Sequence, residues 1–280
     1  MSWYPGHMEK AIVKLKENIK LVDAVIEVVD ARIPYSTKNP YIAELAKNKY
    51  HIILFSKTDL ADSSKIKKWK DFFSENNEYT VFYSSKNKGS INNLYKILSD
   101  IKQDILQKKE RLFNYDLKIM IVGLPNVGKS TLINFLKGKK STKVGNLPGV
   151  TKSLQWVKLA DGTLLLDTPG ILNRSKKDKV LWNNLVFFNS SESEEDISDI
   201  AYKLIENLKI LYPNLLEDRY QINANEETLE IMNIIGRKRG MLLKGAEIDY
   251  DRVSRMIVDE FRNGIIGNVT FEVPDDLVGR

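Results

Sequence analysis

Gly123-Leu124-Pro125-Asn126-Val127-Gly128-Lys129-Ser130 fits the pattern G-x-x-x-x-G-K-[ST]. Before it runs Leu117-Lys118-Ile119-Met120-Ile121-Val122, apolar enough for a strand buried on both faces. After it comes Thr131-Leu132-Ile133-Asn134-Phe135-Leu136-Lys137-Gly138, a helical pattern closed by a glycine. Strand, glycine loop and helix in that order make a phosphate cradle. The glycines let the backbone curl, successive N–H groups point inward, and the helix N-terminus favours negative charge. In such a loop the stretch from Asn126 through Val127, Gly128 and Lys129 to Thr131 wraps the phosphates of a nucleoside triphosphate. Lys129 reaches the β- and γ-phosphates, and the Ser130 hydroxyl is placed for Mg²⁺.

The chain has 280 residues, about right for two domains, and is 42% hydrophobic and 29% charged. It has no cysteine, which excludes a disulfide framework, a thiolate nucleophile and a cysteine-based zinc site. The opening Met1-Ser2-Trp3-Tyr4-Pro5-Gly6-His7 lacks the apolar core of a secretory signal. No apolar run approaches the roughly 20 residues that span a bilayer. A cytoplasmic protein with no membrane partner is expected. Charge is uneven: residues 1–196 hold 32 Lys/Arg against 22 Asp/Glu, and residues 197–280 hold 11 against 15. A basic first part suits a large polyanion such as RNA. It also suits a lysine-rich solvated surface, and charge alone does not separate the two.

Taken in order, Met8, Ile12, Leu15 and Ile19 mark an amphipathic helix over 8–20. Strands are expected at 23–30, 51–55, 80–83, 117–122, 153–159 and 163–166, the last two joined by the hairpin signal Asp161-Gly162. Helices fall between them near 41–47, 63–76 and from Ser90 onward, while Ser141–Thr151 reads as a polar loop. Alternating strands and helices imply a doubly wound α/β sheet with its ligand at the strand C-terminal ends. A solvated linker is expected at 189–196. Beyond it the pattern is helical only, near 197–211, 226–236 and 249–263. The predicted organisation is therefore a sheet domain over 1–188 and a small all-α domain over 197–280.

Short motifs fall at the strand ends. Ser56-Lys57-Thr58-Asp59 resembles the guanine-reading Asn-Lys-x-Asp of GTPases, with Ser56 in place of the asparagine. A carboxylate at Asp59 accepts from both N1–H and the exocyclic amine of guanine, a donor pair adenine lacks. Lys57 lays its stem along the base. Ser84-Ser85-Lys86 resembles the second guanine-contacting loop. Thr151 resembles the switch threonine on Mg²⁺, Asp167 the acid that holds Mg²⁺ through water, and Gly170 the N–H donor to the γ-phosphate. In ordinary GTPases the phosphate loop precedes the base-reading motifs. Here it follows them, so the Ras-like sheet is complete but circularly permuted.

This arrangement resembles the circularly permuted GTPases, specifically the ribosome biogenesis GTPase A family. The resemblance includes Trp3-Tyr4-Pro5-Gly6-His7-Met8, Asp30-Ala31-Arg32-Ile33-Pro34, Gly236-Arg237-Lys238-Arg239-Gly240 and Asp249-Tyr250-Asp251-Arg252. It implies GTP hydrolysis coupled to late maturation of the large ribosomal subunit, release on hydrolysis, and an RNA-binding helical C-terminal domain. It implies no DNA partner. The asparagine missing at Ser56 braces the loops around the base, so guanine selectivity should survive through Asp59 with some loss of affinity.

Ile171 follows Gly170, where Ras-like enzymes carry the glutamine that orients water. Two substitutes are implied. Asn126 resembles the asparagine that holds K⁺ in potassium-activated GTPases. His7 resembles the family's catalytic histidine. His51, the other histidine, opens a strand and reads as structural. In the helical domain, Arg252, Arg255 and Arg262 share one helical face beside the basic turn Arg237-Lys238-Arg239, a candidate RNA surface. The competing expectation is a GTP-dependent switch acting on a protein partner.

Overall fold

The structure, a computed structural model, describes residues 5–75, 79–108, 115–138, 142–144, 155–167, 179–188 and 195–277. The chain divides into two compact units. The first is Met1–Asp59, Ser63–Lys176 and Glu272–Arg280; the second is Leu60–Asp62 and Lys177–Phe271.

Seven strands of the first unit form one sheet: β1 (Ala24–Asp30), β2 (Tyr50–Ser56), β3 (Tyr79–Phe82), β4 (Lys118–Val122), β5 (Thr142–Val144), β6 (Gln155–Lys158) and β7 (Leu164–Asp167). Their order is β3-β2-β1-β4-β7-β6-β5. The first four and β7 pair in parallel, so their C-terminal ends share one edge. Six strands were expected. The seventh, β5, comes from the stretch read as a polar loop; it is three residues long and pairs antiparallel with β6. Such a strand is too short to show a period, and the edge of β6 supplies its pairing. The α/β sheet with permuted strand order is otherwise as read.

Helices α1 (Pro5–Lys20), α2 (Pro34–Thr37), α3 (Pro40–Leu45), α4 (Ser63–Glu75), α5 (Asn92–Lys108) and α6 (Lys129–Lys137) accompany the sheet. Along α5 the buried residues are Leu94, Leu98, Ile101 and Ile105, a stripe with helical period. Each such burial stabilises by about 1.5–3 kcal/mol. β1 is buried along its whole length, Glu27 and Asp30 included. Glu27 accepts from the Asn39 N–H at 2.6 Å and lies 3.0 Å from His51 Nε2, so His51 has the structural partner its position suggested.

The second unit holds α7 (Lys179–Phe188), α8 (Ile197–Leu211), α9 (Pro213–Tyr220), α10 (Thr228–Lys238) and α11 (Tyr250–Arg262). Its boundaries differ from those expected. α7 groups with the helices because Phe187 and Phe188 join Phe261 and Phe271 in an aromatic cluster with centroids 4.7–6.2 Å apart. Leu60–Asp62 also belongs here: the Val269 N–H donates to Leu60 O at 3.1 Å. The last segment returns to the first unit, where the Glu272 carboxylate accepts the Tyr35 N–H at 2.7 Å and Trp69 Nε1 donates to Glu272 O at 3.0 Å. Among the described residues no helix is long and apolar enough to cross a membrane.

Candidate nucleotide site

The parallel register brings the predicted motifs to one place. Asp30, last in β1, aligns with Ser56, last in β2; Phe55 aligns with Phe82, at the end of β3. β4 lies on the other side of β1 and feeds the phosphate loop. The strands follow one another outward on opposite sides of β1, with β2 and β4 both running parallel to it, and such a reversal of strand order opens a crevice at the strand C-terminal ends.

The phosphate loop needs its glycines. A Cβ on Gly123, at φ 146°, would lie 2.5 Å from Val28 O. Gly128, at φ 98°, sits just before the first turn of α6, and a Cβ there would lie 3.4 Å from Ser56 Cβ. Leu124 and Val127 are buried and anchor the loop, whereas Asn126, Ser130 and Thr131 are exposed. The Lys129 ammonium donates to Leu124 O, across its own loop.

The base-reading side is tied to this loop. Buried Ser56 places its hydroxyl within reach of Val29 O, at 3.0 Å, and of Val127 O in the phosphate loop. The serine therefore braces the loop itself, at a position where little space separates it from Gly128. Lys57 adopts a left-handed backbone, φ 55°, and its Nζ lies 2.8 Å from Asp30 Oδ2 and 2.8 Å from Asn126 O. Asn126 is left-handed too, φ 58°. Non-glycine residues held there cost about 1–3 kcal/mol, and such strain clusters at functional sites.

Asp59 is met by the Ser84-Ser85-Lys86 loop. Its Oδ1 accepts from Ser84 Oγ at 2.8 Å and its Oδ2 pairs with Lys86 Nζ at 3.1 Å; the Lys86 N–H donates to Ser84 Oγ at 3.1 Å. Burial pushes the Asp59 carboxyl up, but the hydrogen bonds from Ser84 and Lys86 outweigh it and hold the group below the usual carboxylate range. An ionised Asp59 is the acceptor that guanine requires. Ser85 is exposed beside it.

Asp167 ends β7, one residue beyond the Met120–Leu166 pair that joins β7 to the phosphate-loop strand. His7 lies in the first turn of α1. Thr151 and Gly170, and the side chains of Asp167 and His7, lie outside the described residues.

Sequence reasoning gave no role to Asp30 and Arg32. Both are almost fully buried, and the Arg32 guanidinium grips Asp30 with Nε at 2.9 Å and Nη2 at 2.9 Å. Burial pushes the Asp30 carboxyl up. The charges and hydrogen bonds of Arg32 and Lys57 outweigh this and hold it well below the usual range. The available signal was an acid closing an apolar strand, with a cation two residues on.

In the helical unit the three α11 arginines have different situations. Arg252 is exposed with Asp249 4.0 Å away, and Arg255 pairs with Asp251 at 2.8 Å on the surface. Arg262 instead donates to Phe187 O at 3.0 Å and Val186 O at 2.9 Å, capping the last carbonyls of α7. It is occupied internally, so of the three expected arginines Arg252 and Arg255 are the ones exposed on the helix surface. Lys238 and Arg239 join Arg219, Tyr220, Gln221 and Ile235 around a cavity of about 290 Å³. Lys238 Nζ donates to Tyr220 O at 3.3 Å and to Gln221 O, while Arg237 lies 3.8 Å from Glu230. Arg219 went unnoticed because α9, which opens on Pro213, shows too little periodicity in eight residues.

Comparison with known proteins accords with this geometry. The family model described as RsgA GTPase matches residues 10–177, and the one described as 50S ribosome-binding GTPase matches 118–241. A protein of Bacillus licheniformis named ribosome biogenesis GTPase A is 39% identical, covering 99% of each chain. One of the same name from Thermotoga maritima is 36% identical, covering 99% of this chain and 96% of its own. The solved structure titled GNP-bound YlqF from T. maritima is 30% identical with a TM-score of 0.66, covering 95% of this chain and 99% of that one. With the permuted sheet, the phosphate loop and full-length relatives in agreement, the chain is a circularly permuted GTPase and belongs to the ribosome biogenesis GTPase A family.

Proposed function

We propose that this GTPase is an assembly factor for the large ribosomal subunit, which binds rRNA through its helical unit and leaves the particle when GTP is hydrolysed. The meeting of Asp59 with Ser84 and Lys86, beside a phosphate loop tied down by Ser56 and Lys57, carries the nucleotide half of this reading. Asp59 reads the guanine edge, Ser84 and Ser85 frame it, and Lys57 flanks the base. Residues 126–131 wrap the phosphates. Lys129 exchanges Leu124 O for the β- and γ-phosphates, which reward an ammonium more than a carbonyl does. The Gly170 N–H donates to the γ-phosphate.

Ser130, Thr151 and Asp167 offer hydroxyl and carboxylate oxygens, the donor set a hard cation such as Mg²⁺ takes, and Asn126 offers an amide oxygen to K⁺. Bound there, the cations neutralise charge on the phosphates. His7 assists the attacking water once the particle orders it.

The ribosomal half is supported by the relatives' names and by the exposed cations Arg237, Lys238, Arg239, Arg252 and Arg255 on the helical unit. The site of action is the cytoplasm, on a precursor of the large subunit.

Sedimentation with purified large-subunit precursors tests this. The protein should travel with the particles in a non-hydrolysable GTP analogue and stay behind in GDP. The bound fraction should fall steeply as salt rises. Equal binding in both nucleotides would remove the switch. Binding that ignores salt would favour a protein partner over RNA.

A further inference from the structure

We propose that Asp30 is a positioning residue for the nucleotide: acting through Lys57, it ties the base-reading strand end to the phosphate loop. The inference rests on nucleotide binding at these loops.

Asp30 terminates β1, and its side chain is 3% exposed. Three donors come from Arg32 alone. The backbone N–H reaches Oδ1 at 3.0 Å, Nε reaches Oδ1 at 2.9 Å, and Nη2 reaches Oδ2 at 2.9 Å. The Asp30 N–H in turn donates to Thr37 Oγ1 at 3.0 Å. Gripped by the planar fork of Arg32 and by the Arg32 backbone N–H, the carboxylate is held in one orientation. Its Oδ2 then presents a fixed negative edge to Lys57 Nζ at 2.8 Å. The same ammonium spans to Asn126 O, 69 residues away in sequence. A lysine has a flexible four-carbon stem and loses rotamer entropy when fixed. One fixed anion offsets that cost and leaves the remaining N–H groups aimed at the phosphate loop.

The charge is required, not only the shape. Arg32 and Lys57 share the one acceptor, so a neutral amide there would leave two cations facing a group that must also turn an NH₂ toward one of them. Lys57 would then swing to solvent and release Asn126, whose left-handed backbone depends on surrounding structure to persist. The consequence falls on GTP and GDP alike, because both carry the phosphates that this part of the loop holds. Uniform binding of that kind appears in KM more than in kcat.

The test is a double-variant cycle with Asp30→Asn, Lys57→Met and the pair, measuring GDP and GTP-analogue affinity by fluorescence titration at a temperature where all remain folded. Asp30→Asn should weaken both nucleotides about 10–100-fold, the usual worth of a residue that orients a ligating group, and raise KM more than it lowers kcat. In the Lys57→Met background it should add no further loss. Additive losses, or full affinity in Asp30→Asn, would overturn the inference while leaving the nucleotide site intact. Full affinity in Lys57→Met would overturn it together with the site. If Asp30→Asn does not fold, the wild type decides by NMR. The Lys57 ammonium, assigned by its loss in Lys57→Met, should exchange protons slowly in the GDP complex. A rapidly exchanging ammonium would refute the link.

Discussion

Each unit of this protein contains an aspartate gripped by an arginine, and the two pairs do opposite things. Asp30 and Arg32 have side chains 3% and 2% exposed; Asp251 and Arg255 are 59% and 64% exposed. The contact distances, 2.9 and 2.8 Å, hardly differ. In the buried pair, neither charge has water to fall back on, so removing one partner costs more than it would at the surface. That makes the pair a fixed point from which Lys57 and the phosphate loop can be aimed. In the exposed pair water competes with both partners, and such pairs contribute about 0–1 kcal/mol. The arginine can leave its aspartate for a phosphate at little cost. Burial, not geometry, decides which charges build a site and which remain available to a partner.

Asp59 lies between these extremes, 19% exposed and facing a Lys86 that is mostly in water. It should show the largest functional effect, because in the proposed function its carboxylate accepts from the guanine edge. Asp59→Asn should discriminate against GTP by about 10⁴-fold, the scale on which polar sites reject a ligand they cannot pair with. Xanthosine triphosphate, whose O2 suits the amide, should gain. Nucleotide competition measures this, and an unchanged preference for GTP would show that Asp59 does not read the base.

The buried pair comes next. Arg32→Ala leaves Asp30 with Lys57 as its main counter-charge and should cost about 3–5 kcal/mol in urea unfolding of the whole chain. A loss below about 1 kcal/mol would place Asp30 with the surface pairs and break the contrast.

The smallest effect belongs to the exposed pair. Arg255→Ala should change stability by less than about 1 kcal/mol. It should nonetheless lower the slope of log affinity for large-subunit RNA against log salt by about one. A salt slope equal to that of the wild type would mean that Arg255 only solvates its helix.

The sequence alone determined the local chemistry. The glycine loop, its flanking strand and helix, and the permuted order of the motifs at the strand ends were legible because each is a short run with its own period or turn residue. The aliphatic stripe of α5 and the apolar face of α11 were legible for the same reason. Tertiary structure decided what depends on partners far along the chain. Ser56 meets Val127 across 71 residues, and Glu272 meets Ser36 across 236. No local pattern encodes such contacts, so the bracing role of Ser56 and the return of the last segment to the sheet unit were not readable. Short elements escaped similarly: α2, α9 and β5 have too few residues to show periodicity and form because neighbours supply caps or an open edge. Arg262 looked like its helix-mates in sequence and differs only because α7 ends beside it with unsatisfied carbonyls. Asp30 was visible only as a letter in a motif. Its proposed role follows from desolvation, from the cation two residues on and from Lys57, which the parallel register of β1 and β2 brings to the same carboxylate.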